Sequence, residues 1–136
     1  MRNVLVDTSI WSLAFRRSKP SEREIFVTNE LTSLIQELRI IIIGPIRQEL
    51  LSGISESNMY ENLREKMTVF TDYPIQTTDY ELAAEYSNLC RKNGIQGSHT
   101  DFLICAVSAR NKWEIFTEDN DFLRYQQYLP ITLYRL

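Results

Sequence analysis

With one histidine and two cysteines in 136 residues, this sequence has little of what many catalytic centres are made from. His99 has no second histidine to exchange a proton with, so histidine-pair acid–base chemistry is excluded. Cys90 and Cys105 have neither the spacing of a zinc site nor the density of a disulfide scaffold. Both fall in helical patterns, where a free thiol behaves as a small buried hydrophobe, and a reduced cytoplasmic setting is expected. Four glycines and four prolines exclude a loop-dominated or fibrous protein, and no glycine-rich phosphate loop is present. There is no excess of basic charge. The net charge of −3 gives no general attraction to nucleic acid, so any RNA or DNA would be held by local basic groups, by metal, or by both. Long apolar runs are missing as well. The longest, Leu38 to Ile43, is far too short to span a bilayer, and Asp7 interrupts the first hydrophobic run before a leader could form. A soluble chain with no membrane partner is expected.

What is there is ordinary globular composition, 43% hydrophobic and 24% charged, enough to build one domain over 1–136 with a true core. Val4-Leu5-Val6 reads as a short buried strand, and Thr8 to Arg17 as a helix ending at Ser18-Lys19-Pro20. A second helix is predicted over Ser21 to Leu38, with apolar positions at Ile25, Phe26, Leu31, Leu34, Ile35 and Leu38. Ile40 to Ile43 is a β-branched strand stopped by Gly44-Pro45, and Pro45 opens another helix to Gly53. Asn58 to Phe70 is helical, and Tyr73 to Gln76 a weak strand. Thr77 or Thr78 caps a helix over Tyr80 to Lys92 that stops at Gly94. Thr100 to Asn111 is so apolar that the helix it forms must be buried. Glu114 to Thr117 is a strand, Asp119 to Tyr128 a short helix and Ile131 to Tyr134 a last strand. Strands alternating with helices predict an α/β fold with a mainly parallel sheet.

Three phrases place carboxylates against strongly apolar segments: Val6-Asp7-Thr8-Ser9-Ile10-Trp11, Thr100-Asp101-Phe102-Leu103-Ile104 and Phe116-Thr117-Glu118-Asp119-Asn120-Asp121-Phe122. An unpaired charge is costly to bury there, so the acids are expected to share a partner. A hard divalent cation, Mg²⁺ or Mn²⁺, is the simplest one. In a parallel sheet ligands bind outside the carboxyl ends of the strands. Asp7 follows the first strand and Asp119 and Asp121 the fourth, while Asp101 begins the buried helix. Glu49 lies one turn into the helix after the second strand. All five therefore fall at one edge. Metal-assisted phosphodiester chemistry, with water as nucleophile, is the leading expectation.

In this order, these residues resemble the PIN-domain ribonucleases, in particular the toxin component of VapBC-type toxin–antitoxin pairs. The matching pieces are Val6 to Trp11, Ile46-Arg47-Gln48-Glu49-Leu50, Asp101 to Ala106 and Thr117 to Phe122, together covering essentially the whole chain. The resemblance implies a five-stranded parallel sheet flanked by helices and an Mg²⁺- or Mn²⁺-dependent endoribonuclease. It places Asp7, Glu49, Asp101 and Asp119 in the acidic cluster. Asp121 would substitute for Asp119 or join it, since the last acidic position varies in the family. Ser9 would stand beside the first aspartate, and Thr117 would support the fourth. Homodimerisation and a cognate antitoxin that blocks the site are implied too.

Competing readings have specific gaps. A haloacid-dehalogenase-type phosphatase needs a second carboxylate where Ser9 stands. A phospho-acceptor receiver domain needs paired acids after the first strand, and a serine hydrolase needs a Gly-x-Ser-x-Gly elbow. A catalytically silent PIN-like module that binds RNA or protein is the remaining alternative, though it has no reason to keep clustered charge. Simpler roles are weighed residue by residue. Asp7, Asp101 and Asp119 could be helix caps, a role that Thr100 or Ser98 could fill in place of Asp101, Glu49 a solvated helix residue and His99 a loop residue. Arg91 and Lys92 could answer a helix dipole, and Arg16, Arg17 and Lys19 form a basic cluster on a solvated face or against phosphate.

Overall fold

The structure, a computed structural model, describes residues 1–15 and 19–136. The predicted basic cluster at Arg16 and Arg17 lies outside the described residues, and Lys19 is exposed. Among the described residues five strands form one all-parallel sheet: β1 (Val4–Val6), β2 (Ile40–Ile43), β3 (Asp72–Tyr73), β4 (Glu114–Phe116) and β5 (Thr132–Leu133). Their order across the sheet is β3-β2-β1-β4-β5. Hence β1 is central, and the chain winds outward from it in both directions. Right-handed crossovers then place the helices of the two halves on opposite faces.

Between β1 and β3 run α1 (Thr8–Ala14), α2 (Glu22–Gln36), α3 (Gly44–Ser52) and α4 (Ser57–Met67). They pack on one another, α1 against α2 and α3, and α3 against α4. The other layer holds α5 (Thr77–Lys92) and α6 (His99–Asn111), which form a closely packed hairpin. A short α7 (Asp121–Tyr125) links β4 to β5. Buried residues run unbroken from Phe102 to Ser108, so α6 is enclosed on every side, as its apolar run requires. Cys90 and Cys105 are both free and buried. No helix among the described residues is long and apolar enough to cross a membrane.

Two local readings are corrected. The buried stripe of α2 is Val27, Leu31 and Leu34, whereas Ile25, Phe26 and Leu38 are exposed. Leu38 lies beyond the helix with φ of 58°, at the turn that starts β2. The 27, 31, 34 spacing holds one helical face, and 25 and 26 fall off it. Residue 76, not Thr77 or Thr78, is the N-cap of α5: the Asp79 carboxylate reaches back to accept the Gln76 N–H at 2.9 Å. Asp79 is fully buried, pairs with Arg110 of α6, and accepts a bond from Tyr73 Oη at 3.3 Å. Of the caps left open for α6, the structure has Ser98, whose Oγ accepts the Asp101 N–H at 3.0 Å.

Candidate active site

Strand order reverses between β1 and β4, and the crevice outside their carboxyl ends is where a parallel sheet receives a ligand. Asp7 stands at that point, its N–H donating to the Phe116 carbonyl of β4 at 2.9 Å. It is the N-cap residue of α1, yet its carboxylate makes no capping bond. Instead Oδ2 accepts two hydroxyls, Ser9 Oγ and Thr117 Oγ1, each at 2.8 Å. Ser9 also accepts the Glu118 N–H at 3.0 Å, and Thr117 accepts the Asp119 N–H at 2.9 Å. These two hydroxyls therefore tie the acid of the first strand to the loop after the fourth. Asp7 is only 6% exposed. Buried carboxylates without a cation nearby are costly unless such donors satisfy them.

Asp101 approaches from the first turn of α6. With Ser98 doing the capping, its side chain is free to face the crevice, where Oδ2 accepts a bond from Tyr125 Oη at 2.6 Å. Burial pushes the Asp101 carboxyl up to about 6, and the nearby charges of Asp7 and Asp119 add to the rise. Tyr125 and Ser98 oppose that rise by bonding to the ionised form. The Tyr125 phenol is itself pushed well up by burial and by its bond to Asp101, so it stays a donor.

Asp101, Asp119 and Asp121 each offer a carboxylate oxygen, and these three atoms lie within 4.8 Å of one another. The sequence left Asp119 and Asp121 as alternatives, and the structure puts both beside Asp101. Asp119 Oδ1 accepts the Asp121 N–H at 2.9 Å, so part of its role is to turn the chain into α7. Asp121 is partly engaged by Arg124 at 3.0 Å. Asp7 stands outside this trio and is coupled to it through its field on Asp101. Glu49 stands apart as well. It is exposed on α3 and borders a shallow cavity shared with Pro45, Gln48, Ser52 and Thr100. That cavity reaches Thr100, the residue before Asp101.

Among the described residues no lysine or arginine pairs with Asp7, Asp101 or Asp119. An all-oxygen donor set with unbalanced negative charge suits a hard divalent cation and repels any anion without one.

A family model described as PIN domain matches residues 4–127. The chain belongs to the PIN domain family. No curated protein matches it. Solved structures similar to this PIN domain include FitAcB from Neisseria gonorrhoeae, 20% identical with a TM-score of 0.77, covering 97% of this chain and 96% of that one. VapBC2 from Rickettsia felis, bound to a DNA fragment from their promoter, is 16% identical with a TM-score of 0.76 and 98% of each chain covered. VapBC-5 from Mycobacterium tuberculosis, of the VapBC family of toxin–antitoxin systems, is 15% identical with a TM-score of 0.69 and full coverage of both chains.

Two residues of the PIN site escaped the sequence reading. Tyr125 is fully buried, yet it holds Asp101 from α7. Its position four after Asp121 was the one available signal, since i and i+4 share a helix face. Gly97 is the other. A Cβ there would collide with the Tyr125 hydroxyl and come within 2.8 Å of its Cζ and 3.0 Å of Phe102 Cε2. Only glycine lets the loop before α6 pass so close to the ring that positions Asp101.

Proposed function

We propose that this PIN domain is a metal-dependent endoribonuclease, the toxin of a toxin–antitoxin pair. The observation that carries the proposal is the meeting of Asp101, Asp119 and Asp121 beside the buried Asp7 at the sheet's switch point. Mg²⁺ or Mn²⁺ bound there would act as a Lewis acid on a scissile phosphate and make water a stronger nucleophile. Asp101, Asp119 and Asp7 are the ligands we assign. Asp121 completes the oxygen set, and Glu49, which stands apart on α3, would act on the ion only through water, since Mg²⁺ keeps several of its waters.

The remaining work is done by this chain's own groups. Ser9 and Thr117 fix the Asp7 carboxylate by donating to it. Tyr125 does the same for Asp101, opposing the burial that would protonate it. The crevice is strongly negative until a cation arrives, so the phosphodiester of RNA binds productively only in its presence. RNA as substrate, a homodimer and an inhibitory antitoxin rest on membership in the family and on the similarity to VapBC structures. Net charge −3 agrees with a division of labour in which the antitoxin supplies any DNA contact.

The test is cleavage of a panel of single-stranded and structured RNAs with Mg²⁺ or Mn²⁺, against EDTA and against Asp7→Asn. Metal-dependent cutting lost in the variant is the expected result. Equal cutting by wild type and variant would show contamination and sink the enzyme reading.

A further inference from the structure

The α5–α6 hairpin carries a trough that none of the acidic chemistry uses. One cavity of about 400 Å³ is lined by Tyr80, Ala83, Ala84, Ser87, Asn88 and Arg91 of α5, facing the first turn of α6. A second, of about 240 Å³, continues it toward the loop at Gln96 and Gly97. The two share Ser87, Arg91, His99 and Phe102, and so form one depression. The α5 residues recur at the spacing of a single helical face. Their character changes along it, from aromatic and small apolar at Tyr80, Ala83 and Ala84 to hydrogen-bonding at Ser87 and Asn88 and cationic at Arg91.

The trough shares a wall with the carboxylates. Phe102, on its floor, packs at a tilt against Tyr125 with ring centroids 5.1 Å apart, and Tyr125 Oη donates to Asp101. Gly97, at its far end, lies against the same tyrosine. Arg91 is exposed and forms no ion pair with any carboxylate among the described residues. In a chain with excess negative charge, a cation left unpaired in a trough whose floor reaches Asp101 through Phe102 and Tyr125 is suited to a bound phosphate. The larger cavity alone, about 400 Å³, falls in the range of small-ligand pockets, about 300–1,000 Å³.

Resting on the ribonuclease reading, we propose that the trough is a substrate subsite for a nucleotide of single-stranded RNA adjacent to the scissile bond. Arg91 holds its phosphate, and its base lies in the apolar half beside Ala83 and Ala84, with His99 and Tyr80 at the edges. Unstacked bases are read in this way, by an apolar slot with polar groups at its rim, whereas a duplex is too wide to enter. The site therefore selects single-stranded segments and loops.

The experiment compares wild type, Arg91→Gln, Ala84→Leu and Lys92→Gln as full-length proteins, using one single-stranded RNA with Mn²⁺. Ala84 is exposed, so the leucine fills the trough without disturbing the core. Arg91→Gln and Ala84→Leu are expected to raise KM about five- to tenfold with kcat within twofold. Lys92→Gln, one residue away and outside the trough, should leave KM within twofold. The salt dependence of KM should weaken in Arg91→Gln by about one phosphate contact. Unchanged KM in both trough variants overturns the proposal, as does an equal effect from Lys92→Gln. Sedimentation showing that Ala84→Leu converts a dimer to monomer would make the trough a subunit interface instead. If wild type cuts no RNA, the ribonuclease reading falls separately. Anisotropy of a labelled single-stranded RNA with the same variants then decides the subsite: weakened binding supports it, and unchanged binding overturns it.

Discussion

Asp101 is the residue on which the pH behaviour of this protein turns. Its folded-state carboxyl sits at about 6, above the ordinary 3.8, because burial disfavours its charge. The folded state therefore binds a proton that the unfolded state releases. The associated stability is fully present below pH 4 and is lost as pH rises through about 6. Metal-free protein is expected to lose on the order of 2–3 kcal/mol across that window. Urea unfolding in EDTA would measure it, with Asp101→Asn showing no such dependence. Activity runs the opposite way, since a cation needs the ionised form, and should fall as pH drops through 6. Tyr125→Phe removes a donor that favours ionisation, so the acid limb of the pH–rate profile should move up. Gly97→Ala should move the same limb by displacing Tyr125, and cost about 1–3 kcal/mol in overpacking besides. A pH profile indistinguishable from wild type in both variants would remove Tyr125 from the site.

Elements divide into those whose exposure the sequence displayed and those whose exposure it concealed. In α6 the unbroken run Phe102 to Val107 left no polar face, and the helix is enclosed accordingly. Ile104→Ala is expected to destabilise by about 2–5 kcal/mol, read from the midpoint of chemical denaturation. Phe26→Ala, on the exposed side of α2, should change it by less than about 0.5 kcal/mol. Ile25 and Phe26 of α2 looked buried from periodicity because they neighbour the true face at Val27. Asp7 and Asp101 were legible because a carboxylate beside a buried strand or helix has few structural uses. Tyr125 was not, for an aromatic in a short apolar helix is ordinary core, and its hydroxyl's partner lies in another element. Glu49 shows the complementary difficulty. Chain topology brought its helix to the correct edge, but topology alone does not say which side of the helix faces the crevice.

At the scale of the whole molecule, the acidic crevice stores repulsion that a cation relieves. Mg²⁺ or Mn²⁺ at millimolar concentration should raise the melting temperature, and Asp101→Asn should abolish that increment, as differential scanning fluorimetry would show. The alternation of strands and helices made the parallel sheet readable before any coordinates, and with it the edge where ligands gather. The order of strands was not readable, because nothing local in a buried strand such as Ile40–Ile43 names its neighbours. That order has a temporal meaning. β1 leaves the ribosome first but sits at the centre, and one of its two partners, β4, follows more than a hundred residues later. The bond from Thr117 to Asp7 closes over a separation of 110 residues. Loop closure of that length is slow and cannot begin until β4 has been made. A chain interrupted before Glu114 thus holds Asp7 without its clamp and lacks Asp119 and Asp121. A copy stopped there cannot assemble the acidic crevice, and neither can one whose later residues are still being added by the ribosome.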